Sequence, residues 1–152
     1  MQEAPLALLA RLRPEVRLEV HSHGTIYACF DSYSLSMGTF GGATGRRAGE
    51  LRTGVPLNQL APGPSLDKET DLLIRRLASR GLLEFSLHRS GNGPAGSMAI
   101  EPQIAGYWPQ TPELSDEDTL VLSRFAYMRR RGNEAVLESP LSGALFRVHD
   151  PR

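Results

Sequence analysis

The residues best suited to chemistry are few and scattered along the chain. His21 and His23 lie two residues apart, which on a strand puts both side chains on one face where they could bind a metal. No third ligand follows at a diagnostic spacing, so we predict no metal site. Cys29 is the single cysteine, and its use as a nucleophile with His88 or His149 would require a lowered thiol pKa that no sequence feature indicates. We predict no catalytic residues in this chain.

A glycine-rich segment, residues 41–47, could be considered as a phosphate-binding loop. It lacks the Gly-Lys-Ser/Thr ending of such a loop and the spacing of a dinucleotide fingerprint. We therefore interpret it as a flexible connection, followed over residues 43–53 by a weak helical pattern that Gly45 and Gly49 interrupt.

Composition limits the classes of protein that remain. The chain has 152 residues, 40% of them hydrophobic and 22% charged. This length is typical of about one domain, and this composition predicts a folded protein with a buried core. Its 17 basic and 17 acidic residues cancel, so it lacks the positive field of a nonspecific nucleic-acid or membrane-surface binder. The lone cysteine, the lack of a secretory signal and the lack of an apolar run of about 20 residues predict a cytoplasmic protein.

The first part of the chain is predicted to be a helical lead and a small sheet. Residues 1–14 contain a leucine-rich segment that favours a helix ending at Pro14. Alternating apolar and polar residues over 16–21 and 33–38, and a segment rich in β-branched and aromatic residues over 25–30, then predict three short strands joined by tight turns.

The following elements have the order of a winged helix-turn-helix. Pro56 begins a predicted short helix over 56–60, and Ser65 or Asp67 caps a longer one that ends at Gly81. Residues 82–88 and 98–102 then predict a β-hairpin around a Gly-rich loop. We assign residues 15–108 to one winged-helix unit.

The remaining chain is predicted to begin a similar second unit. Residues 109–117 form a linker, and 118–152 form a partial β-meander with strands at 135–138 and 144–149. The segment 118–131 fits a helix or a strand, because a possible capping box at Ser115 precedes β-branched residues. A lone meander cannot cover its own apolar face, so we expect a homodimer or further protein to cover it.

Three stretches of this second unit resemble a known enzyme family. The stretch Leu122–Arg130, the block Leu-Glu-Ser-Pro-Leu-Ser at 137–142 and Val148–Pro151 are similar to the N-terminal region of SagB-type dehydrogenases. Residues 33–38 and 80–83 also fit that family. The resemblance implies thiazole/oxazole-modified peptide biosynthesis, in which a downstream nitroreductase-like domain binds FMN and oxidises azolines. The resemblance implies that FMN binds to that domain and not to this chain. No position of this chain matches a catalytic residue of the family, so whether this chain has enzyme activity stays open.

The arrangement of a meander and a winged helix also resembles PqqD-like leader-recognition units. In those units a leader peptide adds a strand to a sheet edge beside a helix. The resemblance implies a precursor leader peptide and cyclodehydratase components as partners.

The candidate peptide-binding residues lie on one strand and one helix. Tyr33, Leu35 and Met37 belong to the candidate edge strand, because the chain leaves it for helices without a hairpin partner. Leu72, Arg75 and Arg76 are predicted to line the adjacent groove.

A DNA-binding winged-helix regulator is the alternative function. Asp67, Glu69 and Asp71 in the first turns of the predicted recognition helix weigh against it, since phosphates would repel them. We therefore expect an α+β protein, made of a winged helix-turn-helix with an N-terminal three-stranded meander and the start of a second similar unit, that serves as a noncatalytic recognition or scaffold region.

Overall fold

A computed structural model describes residues 6–57, 66–89, 98–110, 115 and 117–149. Within these residues the protein is a mixed α+β structure, mostly strands, with two sheets and two helices. The elements, in chain order, are β1 (Leu6–Leu12), β2 (Arg17–Val20), β3 (Thr25–Phe30), β4 (Tyr33–Thr39), α1 (Gly42–Glu50), β5 (Val55–Leu57), α2 (Lys68–Ser79), β6 (Leu83–Arg89), β7 (Met98–Pro102), β8 (Tyr127–Arg131), β9 (Glu134–Glu138) and β10 (Ala144–His149). Neither helix is long and apolar enough to cross a membrane.

The predicted N-terminal meander is confirmed as a three-stranded antiparallel sheet. Its order is β2-β3-β4, and Ile26 and Ala28 of the central strand are completely buried. The turn between β3 and β4 places Asp31 at a φ of 49°, a left-handed conformation that aspartate tolerates. A β-bulge between Ile26 and Tyr27 shifts the register, so that Met37 has no partner opposite it.

The long predicted helix is also confirmed, with Asp67 as its N-cap. The Thr70 amide donates to Asp67 Oδ1 over 2.9 Å, and this hydrogen bond lowers the pKa of the Asp67 carboxyl. Leu73, Ile74 and Leu77 form the predicted buried stripe.

Helix α1 forms despite Gly45 and Gly49 in its interior. Glu69 of α2 accepts hydrogen bonds from the Gly41 amide (2.8 Å) and the Thr44 hydroxyl (3.2 Å), and so supplies a carboxylate to the first turn of α1. Contact with a second helix thereby offsets the weak helical propensity of its sequence.

Two predicted helices are wrong. Leu6–Leu12 is strand β1, paired with β5 on one side and β6 on the other, and Val55–Leu57 is strand β5. Leu8, Ala10 and Leu12 alternate along β1 and are all buried, so pairing within a sheet overrides the helical propensity of leucine and alanine. Residues 58–60 of the second predicted helix lie outside the described residues.

The larger sheet has seven antiparallel strands in the order β5-β1-β6-β7-β10-β9-β8. Its buried face contributes to one core shared with α1, α2 and the small sheet. One residue from each strand forms what we call the central row of this face, namely Val55, Ala10, Phe85, Ile100, Phe146, Leu137 and Met128. The opposite face, which we call the charged face, carries Arg11, Glu84 and Arg147.

The three C-terminal strands are consecutive neighbours, as the predicted second meander requires. The ambiguous segment resolves into strand β8 over Tyr127–Arg131, with no regular structure over 117–126. Strand β10 pairs with β7, so strands that precede the predicted linker (109–117) and strands that follow it belong to one sheet. The division of the chain into two units stays a prediction, as does its winged-helix topology.

Candidate functional site

Strand β4 is an outer strand of the small sheet. It pairs with β3 on one side, and no further described strand lies along its other side. The two-residue turn makes Phe30 and Tyr33 the closing pair of the hairpin, and hydrogen-bonded pairs alternate along antiparallel strands. By this alternation the backbone N–H and C=O groups of Ser34 and Ser36 face away from β3. They form an open edge onto which an extended chain could pair.

The candidate side chains on β4 differ in exposure. Tyr33 is 68% exposed and Leu35 is 36% exposed, whereas Met37 is buried at 3%. Leu35 lies opposite buried Ala28, so Tyr33 and Leu35 extend the core-facing side of the sheet into solvent. Met37 packs into the core, which leaves only its backbone at the edge.

Helix α2 contacts β4 through Arg76. The Arg76 Nη1 donates to the Met37 carbonyl oxygen over 2.5 Å, and its guanidinium lies 5.5 Å from the centre of the Phe40 ring. Gly38 permits this approach, because a Cβ atom there would stand 2.2 Å from Arg76 Nη1 and the residue has a φ of +113°.

The other two helix residues have different surroundings. Arg75 donates to Asp71 Oδ2 over 2.8 Å, and its guanidinium carbon lies 4.6 Å from the centre of the Trp108 ring. Leu72 is 43% exposed and stays available on the helix surface. The structure therefore brings Arg76 and Met37 together, but it places Arg75 in a different contact.

Gly38, Phe40 and Trp108 are site residues that the sequence reasoning missed. A glycine inside a strand pattern signals a close approach by another group, and that signal was present at Gly38. The roles of Phe40 and Trp108 depend on the packing of distant segments, for which no local pattern exists.

All three carboxylates in the first turns of α2 have structural partners. Asp67 caps α2, Glu69 binds the start of α1, and Asp71 pairs with Arg75. These carboxylates lie at the N-terminal end of α2, the end that a winged-helix protein directs at DNA bases. Their negative charge would repel the DNA phosphates.

A second candidate region is an apolar groove in the C-terminal part of the chain. Its volume is about 410 Å³, and its described lining consists mostly of apolar and serine side chains (Leu120–Ser123, Ala126, Leu137–Ser139, Leu141, Ser142 and Phe146). Leu120, Val121 and Leu122 are 64–85% exposed. This groove continues the buried face of the large sheet where α2 no longer covers it.

One carboxylate beside this groove is held ionised. Tyr127 donates its hydroxyl proton to Glu138, and Arg129 Nε donates to Glu138 Oε1 over 2.8 Å. These hydrogen bonds lower the pKa of Glu138, and the first of them raises the pKa of Tyr127. A carboxylate held in this way is a poor general base.

Neither the apolar groove nor a second cavity, lined by arginines, fits FMN, which needs a cation for its phosphate and an apolar slot for its ring system. The 410 Å³ groove has no cationic residue in its described lining. A cavity of about 340 Å³ is lined by Arg11, Arg13 and Arg52, but its apolar lining is limited to Leu12, Pro14 and Val16. Neither combines the two requirements, and in the described part of the chain no three His, Cys, Asp or Glu residues are grouped to bind a metal.

Comparison with known proteins relates the C-terminal segment to one family. No curated protein sequence matches the chain. A model of the family described as cyanobactin oxidase ThcOx matches residues 120–152, a segment that includes the apolar groove and strands β8–β10. This segment is therefore similar to cyanobactin oxidase ThcOx.

Proposed function

We propose that this chain is a noncatalytic peptide-recognition region of a SagB-type azoline dehydrogenase, and that the edge of β4 binds the leader of a precursor peptide. The similarity of residues 120–152 to cyanobactin oxidase ThcOx supports the biosynthetic context, the making of modified peptides. The open edge of β4 beside α2 is the observation on which the recognition role depends.

The proposed complex is one of β-strand addition. The leader pairs with the outward backbone groups of Ser34 and Ser36, which supply affinity without regard to sequence. Tyr33, Leu35 and Leu72 contact its apolar side chains, and the guanidinium groups of Arg75 and Arg76 attract acidic ones. Because Arg76 already binds the Met37 carbonyl, we place the paired segment over Tyr33–Ser36.

The winged-helix interpretation belongs to this proposal. Strand β5, helix α2 and the hairpin β6–β7 follow one another in the order that a winged helix-turn-helix requires, with α1 packed against α2. Strand β5 takes the place of the first part of the short helix predicted over 56–60, and residues 58–60 lie outside the described residues. Together with the small sheet, this order supports a PqqD-like unit.

Calorimetric titration with a synthetic leader peptide of the cognate precursor tests the proposal. Ser34→Pro removes one outward N–H from the edge, so we expect the dissociation constant to rise at least about tenfold. Ser34→Ala is the matched control, because it removes only the hydroxyl and should bind as the wild type does. Equal affinity of Ser34→Pro and wild type, or no heat at high peptide concentration, would contradict leader binding at β4.

We also propose a homodimer in which a second copy covers the exposed end of the central row. Met128 is 68% exposed there, and exposed apolar surface of this kind favours association. Sedimentation equilibrium should give twice the 16.7 kDa chain mass. A compact monomer, or a dimer unaffected by Met128→Asp, would argue against this arrangement.

The remaining assignments follow from the resemblance. We propose that FMN binds outside these 152 residues, that cyclodehydratase components are further partners, and that the protein works in the cytoplasm. The poor fit of FMN to the described cavities supports the first of these assignments.

A further inference from the structure

The 340 Å³ cavity lies where β1 ends, away from the edge of β4. The charged side chains that line it are all arginines, Arg11, Arg13 and Arg52, and no carboxylate is among the described lining residues. Three guanidinium groups around one concave space repel each other, and the energy of that arrangement falls when an anion enters.

Of the three arginines, Arg11 is paired with a carboxylate, whereas Arg13 and Arg52 form no ion pair with a described carboxylate. Arg11 Nε donates to Glu84 Oε1 over 2.8 Å, so a nearly buried carboxylate balances its charge. Arg13 Nη2 donates to a neutral acceptor, the Pro102 carbonyl oxygen, over 2.5 Å. Arg52 is exposed and lies two residues after the end of α1.

Arg13 also has a buried donor without an acceptor. Its Nε atom is inaccessible to solvent and has no hydrogen-bond partner among the described residues. Leaving such a donor unsatisfied destabilises a protein by about 1–3 kcal/mol, so the fold holds this guanidinium at a cost. A guanidinium carries five N–H donors in a planar fork that suits the oxygens of a carboxylate or phosphate, and an anion in the cavity would bind donors other than this Nε–H.

The backbone holds these arginines in place. The Leu12 amide donates to the Leu51 carbonyl oxygen over 2.9 Å, which fixes the chain next to Arg52 against β1. The Arg13 carbonyl oxygen accepts from the Val16 amide over 2.9 Å, which closes the turn that forms another wall. The cavity is therefore built by hydrogen-bonded backbone, and binding needs little reorganisation.

We infer that Arg11, Arg13 and Arg52 form a binding site for an oxyanion, either a phosphate or a carboxylate group. A volume of about 340 Å³ is at the small end of the range for ligand sites, so the site suits a small molecule or a single charged group. This site is independent of leader binding, since none of these arginines belongs to β4 or α2.

Calorimetric titration of the whole chain with sodium phosphate, and separately with sodium acetate, tests the site at constant ionic strength in a chloride background. Saturable binding of either ion supports it, and the stronger ion identifies the group as a phosphate or a carboxylate. Arg52→Gln should weaken that binding at least about tenfold. Arg46→Gln is the matched control, because it changes the net charge equally but Arg46 does not line the cavity.

Three outcomes would overturn the inference. Neither ion binds saturably, Arg46→Gln weakens binding as much as Arg52→Gln, or Arg52→Gln binds as the wild type does. The second outcome would mean that the ions respond only to overall charge. Because Arg52 is exposed, circular dichroism is expected to show a folded variant, and the wild-type titration decides the first outcome without any substitution.

Discussion

The side chains at the two ends of the central row differ in burial, although they belong to one sheet. At the β5–β7 end, Val55, Ala10 and Phe85 are completely buried beneath the shared core, and Trp108 packs edge-on against Phe85 at 5.7 Å between ring centres. At the β9–β8 end, Leu137 is half-buried and Met128 is 68% exposed. Backbone pairing is continuous across the sheet, but burial is not.

This difference shows that pairing and burial are separate requirements for a strand. Strands β8–β10 satisfy their backbone groups by adding to β7, whereas the helices that bury the first half have no described equivalent over the second half. Because apolar burial supplies most of the stabilising free energy, we expect the first half to dominate the stability of the chain.

The largest expected effect compares two residues of the same row. Phe85→Ala should lower the free energy of unfolding by about 3–5 kcal/mol, because it leaves a cavity in a fully packed core. In the monomer, Met128→Ala should change it by no more than about 0.5 kcal/mol, because within one copy its side chain has little packing to lose. Urea unfolding of both variants, at protein concentrations low enough to keep the chain monomeric, measures the two values. A similar cost for both in the monomer would contradict the difference in burial along the row, whereas a cost for Met128→Ala that grows with protein concentration would support the proposed dimer.

A smaller effect is expected where the charged face joins the two halves. Arg147 Nη2 donates to Glu84 Oε2 over 3.3 Å, and the same guanidinium pairs with Glu101 and Glu134 at 3.4 Å. Arg147→Met should therefore cost about 2 kcal/mol of unfolding free energy, since Glu84 is 3% exposed and retains only Arg11.

Arg46→Met is the control for this change and should cost no more than about 0.5 kcal/mol, as expected for an arginine outside the buried network. If Arg147→Met proved as mild as the control, the two halves would not be coupled through Glu84. If amide hydrogen exchange in Arg147→Met increased in β9 and β10 only, the loss of stability would lie in the second half of the sheet.

Much of the fold could be predicted because its signals are local. The Asp67 cap, the apolar stripe of α2, the alternation in β2 and β4 and the β-branched and aromatic residues of β3 are all properties of short stretches. Strand β1 could not be predicted in this way. Its leucines and alanines favour a helix, and pairing with β5 and with β6, which is more than 70 residues away, makes it a strand.

The candidate site divides in the same manner. Exposure of Tyr33, Leu35 and Leu72 agrees with their proposed role, and strand alternation was the local signal for the first two. The burial of Met37 follows from its packing into the shared core, and the place of Arg75 depends on Trp108. Neither contact has a local sequence signature.

The smallest expected effect concerns the helix that covers the first half. Asp67→Ala should lower the free energy of unfolding by about 1 kcal/mol, because Thr70 loses its capping acceptor. Since the folded pKa of Asp67 lies below its ordinary value of 3.8, ionisation of Asp67 stabilises the fold above that pH, and the contribution is lost as the pH falls through the folded pKa. The difference in unfolding free energy between wild type and Asp67→Asn should therefore shrink between pH 7 and pH 3. A difference that does not depend on pH would contradict an ionised cap.

Amide hydrogen exchange in Asp67→Ala tests whether α2 protects the covered half of the sheet. If exchange increased more at Leu137 than at Phe85, α2 would not protect that half specifically.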